Sequence, residues 1–385
     1  MVTLAERHHG GYRVKVFDQS LAERLTETKN RPSGFDYLRM ILALGIILSH
    51  AGLISYGGWD IGLLGPLVLM IVPMFFALSG FLVAGSLERS KTLITFLGLR
   101  AFRIVPALSV EVFLSALILG PLFTTDNLGN YFRDREFYSY FLNVIGEIHY
   151  QLPGVFRSNP NPAVNGQLWT IPWELVSYVA LAVLAVTGVF HRRHLLLMCL
   201  TGLYIVQIGN SIVRPKVDLA NAGGATVVVC FVAGLVIYRY RDKIAWSGLL
   251  CLLMTALSLW LTTVVSGMRF APIPMAYVTI YLGLLNPRRN KLILSGDYSY
   301  GLYLYGFPIQ QAIFAINPAL REWYWNLLLA IPCAGMVAVG SWWLVEKPVL
   351  ARRHKLKSLE EWYLKKYSSL RLSAPRAATS RSEVY

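Results

Sequence analysis

Apolar runs of about 20 residues recur along the 385-residue chain from residue 35 to residue 346, and short polar stretches between them hold most of the charge. Runs of that length cross the hydrocarbon core of a bilayer as helices. The pattern predicts helices over 35–54, 63–84, 102–123, 168–190, 195–213, 223–239, 247–266, 271–286, 298–317 and 324–346. Several of these are short or carry Gly and Pro, so one or two are expected to be broken or strongly tilted. The predicted fold class is all-α, a polytopic membrane protein with about ten transmembrane helices. Three regions follow: an N-terminal tail over 1–34, a membrane domain over 35–346 and a basic C-terminal tail over 347–385. Within that tail, "RRHKLKSLEEWYLKKY" reads either as a basic amphipathic helix on the inner leaflet or as a solvated extension, and "LSAPRAATSRSEVY" at 372–385 reads as disordered. There is no internal repeat of the kind many transporters show, and no soluble domain of globular size.

Composition agrees with this, with 55% hydrophobic residues and a mean hydropathy of +0.49. The net charge of +15 raises the question of nucleic acid. The basic residues sit in short clusters between apolar runs, which is juxtamembrane placement and argues against a nucleic-acid partner. Those clusters also orient the chain. Lys and Arg number 28 on the side that holds both tails and 7 on the other, with Arg39 inside the first run. The positive-inside rule then places both termini in the cytoplasm. Residues 1–34 are polar and of mixed charge, so no cleavable signal peptide is expected and the first span anchors itself. Cys199, Cys230, Cys251 and Cys333 lie inside apolar runs without a CxxC pair and read as packing residues. No metal site is expected.

Ionisable groups at membrane depth are costly, and by default they serve function. Arg39 and His50 stand in "FDYLRMILALGIILSHAG", 11 residues apart. That separation is about three helical turns, so both face one side at a distance of about 16 Å along the axis. Glu174, in "GQLWTIPWELVSY", comes about 9 Å in from the outer face, close to the level of His50. An imidazole beside a carboxylate is a general-base arrangement, because the acid orients the ring and stabilises its protonated form. Their adjacency across helices is inferred from shared depth alone. Arg100 and Arg103 in "LGLRAFRIVPAL" are neighbours on a helix and, with Arg39, make a basic mouth at the inner face. Guanidinium groups suit phosphate. The competing readings are an Arg39 that snorkels to the interface, a His50 in a structural hydrogen bond, and Arg100 and Arg103 as ordinary positive-inside charge.

These stretches carry a family resemblance over residues 35 to 348. The chain resembles the acyltransferase family 3 membrane proteins, which O-acylate sugars of bacterial surface polysaccharides, lipopolysaccharide and related glycoconjugates, as well as some small molecules. The Arg39–His50 pair, "MFFALSGFL" at 74–82, "RAFRIVPAL", "GQLWTIPWE", "GDYSYGLYLYGFPIQQ" and "VEKPVL" are similar to its motifs, in order. The resemblance implies acyl-CoA, usually acetyl-CoA, as cytoplasmic co-substrate and a carbohydrate or glycolipid as acceptor. It further implies a place among the lipids of the bacterial inner membrane, and either an extracytoplasmic or polysaccharide-assembly partner that completes the transfer or a chain that acts alone. Arg39, Arg100 and Arg103 are then expected to hold the polyphosphate end, and His50 to act as base at the acyl end with Glu174 orienting it. Tyr303 and Tyr305 are candidates to line the cavity or to pack beside it. Many members carry a histidine where this chain has Gly306, so no catalytic role transfers there. The fused extracytoplasmic esterase-like domain of some members is absent here. The rival reading is a transporter or flippase that moves a lipid-linked sugar without chemistry. A receptor or scaffold would leave Arg39, His50 and Glu174 without a purpose.

Overall fold

The computed structural model describes residues 19–58, 64–213, 219–264 and 267–366. Each of the ten apolar segments is met by a helix: α1 Gly34–Tyr56, α2 Gly65–Arg89, α3 Leu93–Phe123, α4 Ile171–Val186, α5 Arg193–Val213, α6 Leu219–Arg239, α7 Gly248–Thr263, α8 Pro272–Gly283, α9 Ser299–Ile316 and α10 Trp323–Ser341. Among the described residues there is no strand, only the isolated bridges Ser20–Ala245 and Thr124–Val155. Among the described residues, five helical stretches are long and apolar enough to cross a membrane: α1, α2, α3, Gly166–Val186 and the stretch that begins at Trp323. Two shorter apolar helices, Gly223–Arg239 and Gly248–Thr263, accompany them. The chain is a polytopic all-α membrane protein. The expected irregularities are present: α8 has 12 residues, about 18 Å of rise, and Pro73, Pro106, Pro308 and Pro332 lie inside helices.

Lipid tails are as apolar as leucine, so helices in a membrane associate by close packing rather than by the hydrophobic effect. The α2–α6 pair shows how. A Cβ at Gly80 would strike the Phe231 carbonyl, and one at Gly234 would strike the Ala77 carbonyl. Gly80→Val is therefore expected to push the two backbones apart, at a cost at or above the usual range of about 1–3 kcal/mol for overpacking. Thermal unfolding in detergent would show it, and a wild-type melting temperature would refute it.

Two regions are more ordered than hydropathy suggests. The segment 124–165 folds into short helices, Leu128–Tyr131 and Arg135–Tyr140, and a 3₁₀ turn at Phe141–Ile145. It is tied to the helix bundle by polar bonds. The Tyr131 hydroxyl donates to the Ala116 carbonyl at 2.6 Å, and the Gln311 amide donates to the carbonyls of Asn161 (2.7 Å) and Ala163 (2.6 Å). After α10 comes a π-helical turn, Trp342–Glu346, and then a further helix, α11, Arg353–Lys366. On α11, Leu356 fills the notch at Gly98 of α3, and Glu360 accepts from the Thr92 hydroxyl at 2.8 Å. The tail is a packed helix there, while Leu359 and Trp362 stay exposed. The stretch 372–385 lies outside the described residues. In the N-terminal region, Ser20 caps the helix Leu21–Glu27, and Arg24 lies 4.4 Å over the Trp246 ring.

Candidate active site

Arg100 and Arg103 lie on α3 just before Pro106, whose ring removes a backbone donor from the helix. They open onto a cavity of about 150 Å³ inside the bundle. Arg39 of α1, Ser79 of α2, Glu174 and Tyr178 of α4, and Tyr300 and Tyr303 of α9 line the same cavity. Four of the five residues singled out from sequence thus meet at one place.

The arginines are not equivalent. The Asp297 carboxylate, in the connection before α9, accepts from Arg103 at 2.7 Å and from Arg39 at 3.3 Å through the same oxygen. Its other oxygen accepts from Ser299 at 2.6 Å. Arg103 also lies 4.0 Å from Glu346, in the π-helical turn after α10, and Arg39 lies 3.9 Å from Asp36. This ionic node joins α1 and α3 to the connection before α9 and the π-helical turn after α10. Arg100 has no carboxylate within ion-pair distance among the described residues. One of its terminal nitrogens reaches Ser86 at 3.4 Å, and its buried Nε has no partner among them.

Glu174 accepts a hydrogen bond from Tyr178, whose hydroxyl also lies 3.4 Å from Ser79. Arg103, Arg100 and Arg39 are the charges that act on this acid. His50 stands elsewhere. Its ring meets Phe307 edge-on with centroids 5.0 Å apart, and its buried Nδ1 has no partner among the described residues. No hydrogen bond or ion pair joins His50 to Glu174 there. Depth alone had paired them, but depth leaves the rotation of each helix open. The structure packs α4 on α3 and α6, which turns Glu174 towards the arginines of α3. Phe75 belongs to the cavity wall and packs on the apolar cluster of Ala43 and Ile47, the part of α1 between Arg39 and His50.

Of the two tyrosines, Tyr303 lines the cavity, sharing a hydrogen bond with Thr170 and donating to the Gln167 carbonyl at 2.7 Å. Tyr305 instead donates to Ser341 at 3.1 Å. Gly306 has a packing reason: a Cβ there would sit 2.9 Å from the Ile47 side chain, where α9 passes close to α1. Among the described residues no cluster of His, Cys, Asp and Glu could hold a metal ion.

Sequence reading missed three acids. Asp297 and Glu346, in "SGDYSYG" and "VEKPVL", sit at the ends of apolar runs and pass for loop charge. Glu111 lies well inside α3, where the rule applied to Glu174 also finds it. It accepts from Ser115 and from Asn165, both at 2.8 Å, which ties the segment 124–165 to the middle of α3 beside the π-helical turn Ser115–Leu119.

Residues 33–347 match the family described as an acyltransferase domain. The chain is similar to nodulation protein 10 of Rhizobium leguminosarum bv. viciae, 29% identical over 361 residues that cover 84% of this chain and 95% of that protein. It is also similar to the O-acetyl transferase of Shigella phage Sf6, 24% identical over 350 residues that cover 85% of this chain and 98% of that one. No solved structure matches it significantly.

Proposed function

This chain belongs to the acyltransferase-domain family and is an O-acyltransferase, and from that premise we propose that it moves an acyl group, acetyl in first place, from acyl-CoA to a hydroxyl of a cell-surface carbohydrate or glycolipid. The observation that carries the reading is the meeting of Arg39, Arg100 and Arg103 at one cavity, with no carboxylate within ion-pair distance of Arg100 among the described residues. Phosphate groups bind guanidinium through charge-assisted bonds, and CoA offers a polyphosphate end on a long thin arm. His50 lies about 16 Å further along α1, a span that an extended pantetheine arm covers.

The reaction assigns the parts. The acceptor oxygen attacks the thioester carbonyl, a C–O bond forms, the C–S bond breaks, and the acceptor proton ends on the departing sulfur. His50 takes that proton, since a neutral imidazole has one nitrogen free to accept. Glu174 acts from the donor side, where it and Tyr178 hold the charge balance around Arg100. The relative named an O-acetyl transferase supports both the acetyl group and the oxygen acceptor.

The charge split supports a bacterial inner-membrane protein with cytoplasmic termini, donor entry from inside, and an extracytoplasmic or polysaccharide-assembly partner for the product. Reporter fusions after residues 150 and 320 are expected to report outside, and those after 90 and 240 inside. A fusion at 90 that reports outside would reverse the orientation.

The function is tested by incubating purified protein in nanodiscs with labelled acetyl-CoA and by comparing surface glycans with and without the gene by mass spectrometry. CoA release and the loss of one acyl group from the glycans are expected. A carrier without chemistry would leave acetyl-CoA intact, and that result would overturn the proposal.

A further inference from the structure

The arginine cavity is less basic than its arginines suggest. Arg39, Arg100 and Arg103 share it with Glu174, while the Asp297 carboxylate pairs with Arg39 and Arg103 beside it and Glu346 stands next to Arg103. A cavity balanced in this way offers little net attraction to an anion arriving from solution. Asp297 matters most in that balance. One of its oxygens sits between two guanidinium groups from two helices, at 2.7 and 3.3 Å, the arrangement that a phosphate oxygen adopts between two arginines. The second oxygen is anchored by Ser299 at 2.6 Å. The node is also within reach of a ligand, because the side chains of Arg103 and Asp297 keep 25% and 29% of their exposure.

We propose that Asp297 is a resident counter-anion that sets which ligands the donor cavity accepts. It occupies the faces of Arg39 and Arg103 that a donor phosphate needs, and leaves only Arg100 uncommitted. A ligand with a single phosphate gains one guanidinium and meets the repulsion of Asp297. A ligand with several phosphates gains Arg100 and, in addition, shares or displaces Asp297 on the other two. The cavity therefore selects polyphosphate donors over singly phosphorylated ones. This inference rests on the reading of the cavity as the donor site.

The test measures binding of CoA, 4′-phosphopantetheine and uncharged pantetheine to the full chain in nanodiscs, for the wild type and Asp297→Asn. The wild type is expected to bind CoA far more tightly than the other two, and those two about equally. Removing one unit charge a few ångströms from the phosphate site is expected to tighten both phosphorylated ligands by about tenfold or more, with pantetheine unchanged. Asp297→Ser carries the same expectation if the Asn variant is not recovered folded, as judged by its melting temperature. Unchanged or weaker CoA binding in a folded variant would overturn the inference and make Asp297 a positioning residue for the arginines. A wild type that binds CoA and pantetheine equally would instead remove the donor-site reading itself, and this inference with it.

Discussion

His50→Ala is expected to abolish acyl transfer while leaving folding and donor affinity close to wild type. Removal of a general base typically costs about 10²–10⁴-fold in rate. The geometry explains why the loss should be confined to the chemical step. The His50 side chain makes no hydrogen bond with the described residues, and its ring leans on Phe307. Removing the ring therefore breaks no ionic contact of the donor site. Turnover of labelled acetyl-CoA in the presence of acceptor, beside a direct CoA-binding measurement, separates the two effects. Full activity in this variant would end the assignment of His50 as base. Glu174→Gln should also slow the reaction, but by acting on the donor side. Because no hydrogen bond joins the two residues, their losses are expected to multiply in the double mutant. A double mutant no slower than His50→Ala would show that they act as one unit.

The second large effect concerns the arginines, and here the structure separates residues that sequence treated alike. Arg100→Ala is expected to weaken CoA binding by about 1–3 kcal/mol, the usual cost of a lost charge-assisted bond, with little change in melting temperature. It can do so cleanly because Arg100 shares no carboxylate with another helix among the described residues. Arg103→Ala removes a donor contact and also leaves Glu346 without its cation and Asp297 with Arg39 alone. A buried acid left unpaired is costly, so this variant should lose stability as well as affinity. Calorimetric binding and thermal unfolding on the same preparations read both quantities. Equal melting temperatures for the two variants would mean that the ionic node contributes nothing to the fold.

The ten helices were legible in the sequence because their cause is local. Backbone polar groups in lipid must be satisfied within the segment, so length and apolarity of each run decide where a helix forms. The relation of Arg39 to His50 was legible for the same reason, since spacing within one helix follows from its pitch. Glu111 was legible too and was passed over, although it breaks an apolar run as Glu174 does. The side on which Glu174 faces was not legible. That depends on the rotation of α4 against α3 and α6, which is set by contacts between residues far apart in the chain. Asp297 and Glu346 gained their meaning in the same way: at the ends of runs they resemble loop charge, and only the assembly of α1, α3, α9 and α10 brings them to Arg103. The glycine contacts of α2 with α6 and the polar ties of the segment 124–165 belong with them. Sequence by itself determined the helices, their order and the ionisable residues they carry. Only tertiary structure decided which of those residues share a cavity, because in lipid no general hydrophobic drive turns a helix, and its facing is settled by steric fit and a few polar bonds with distant partners.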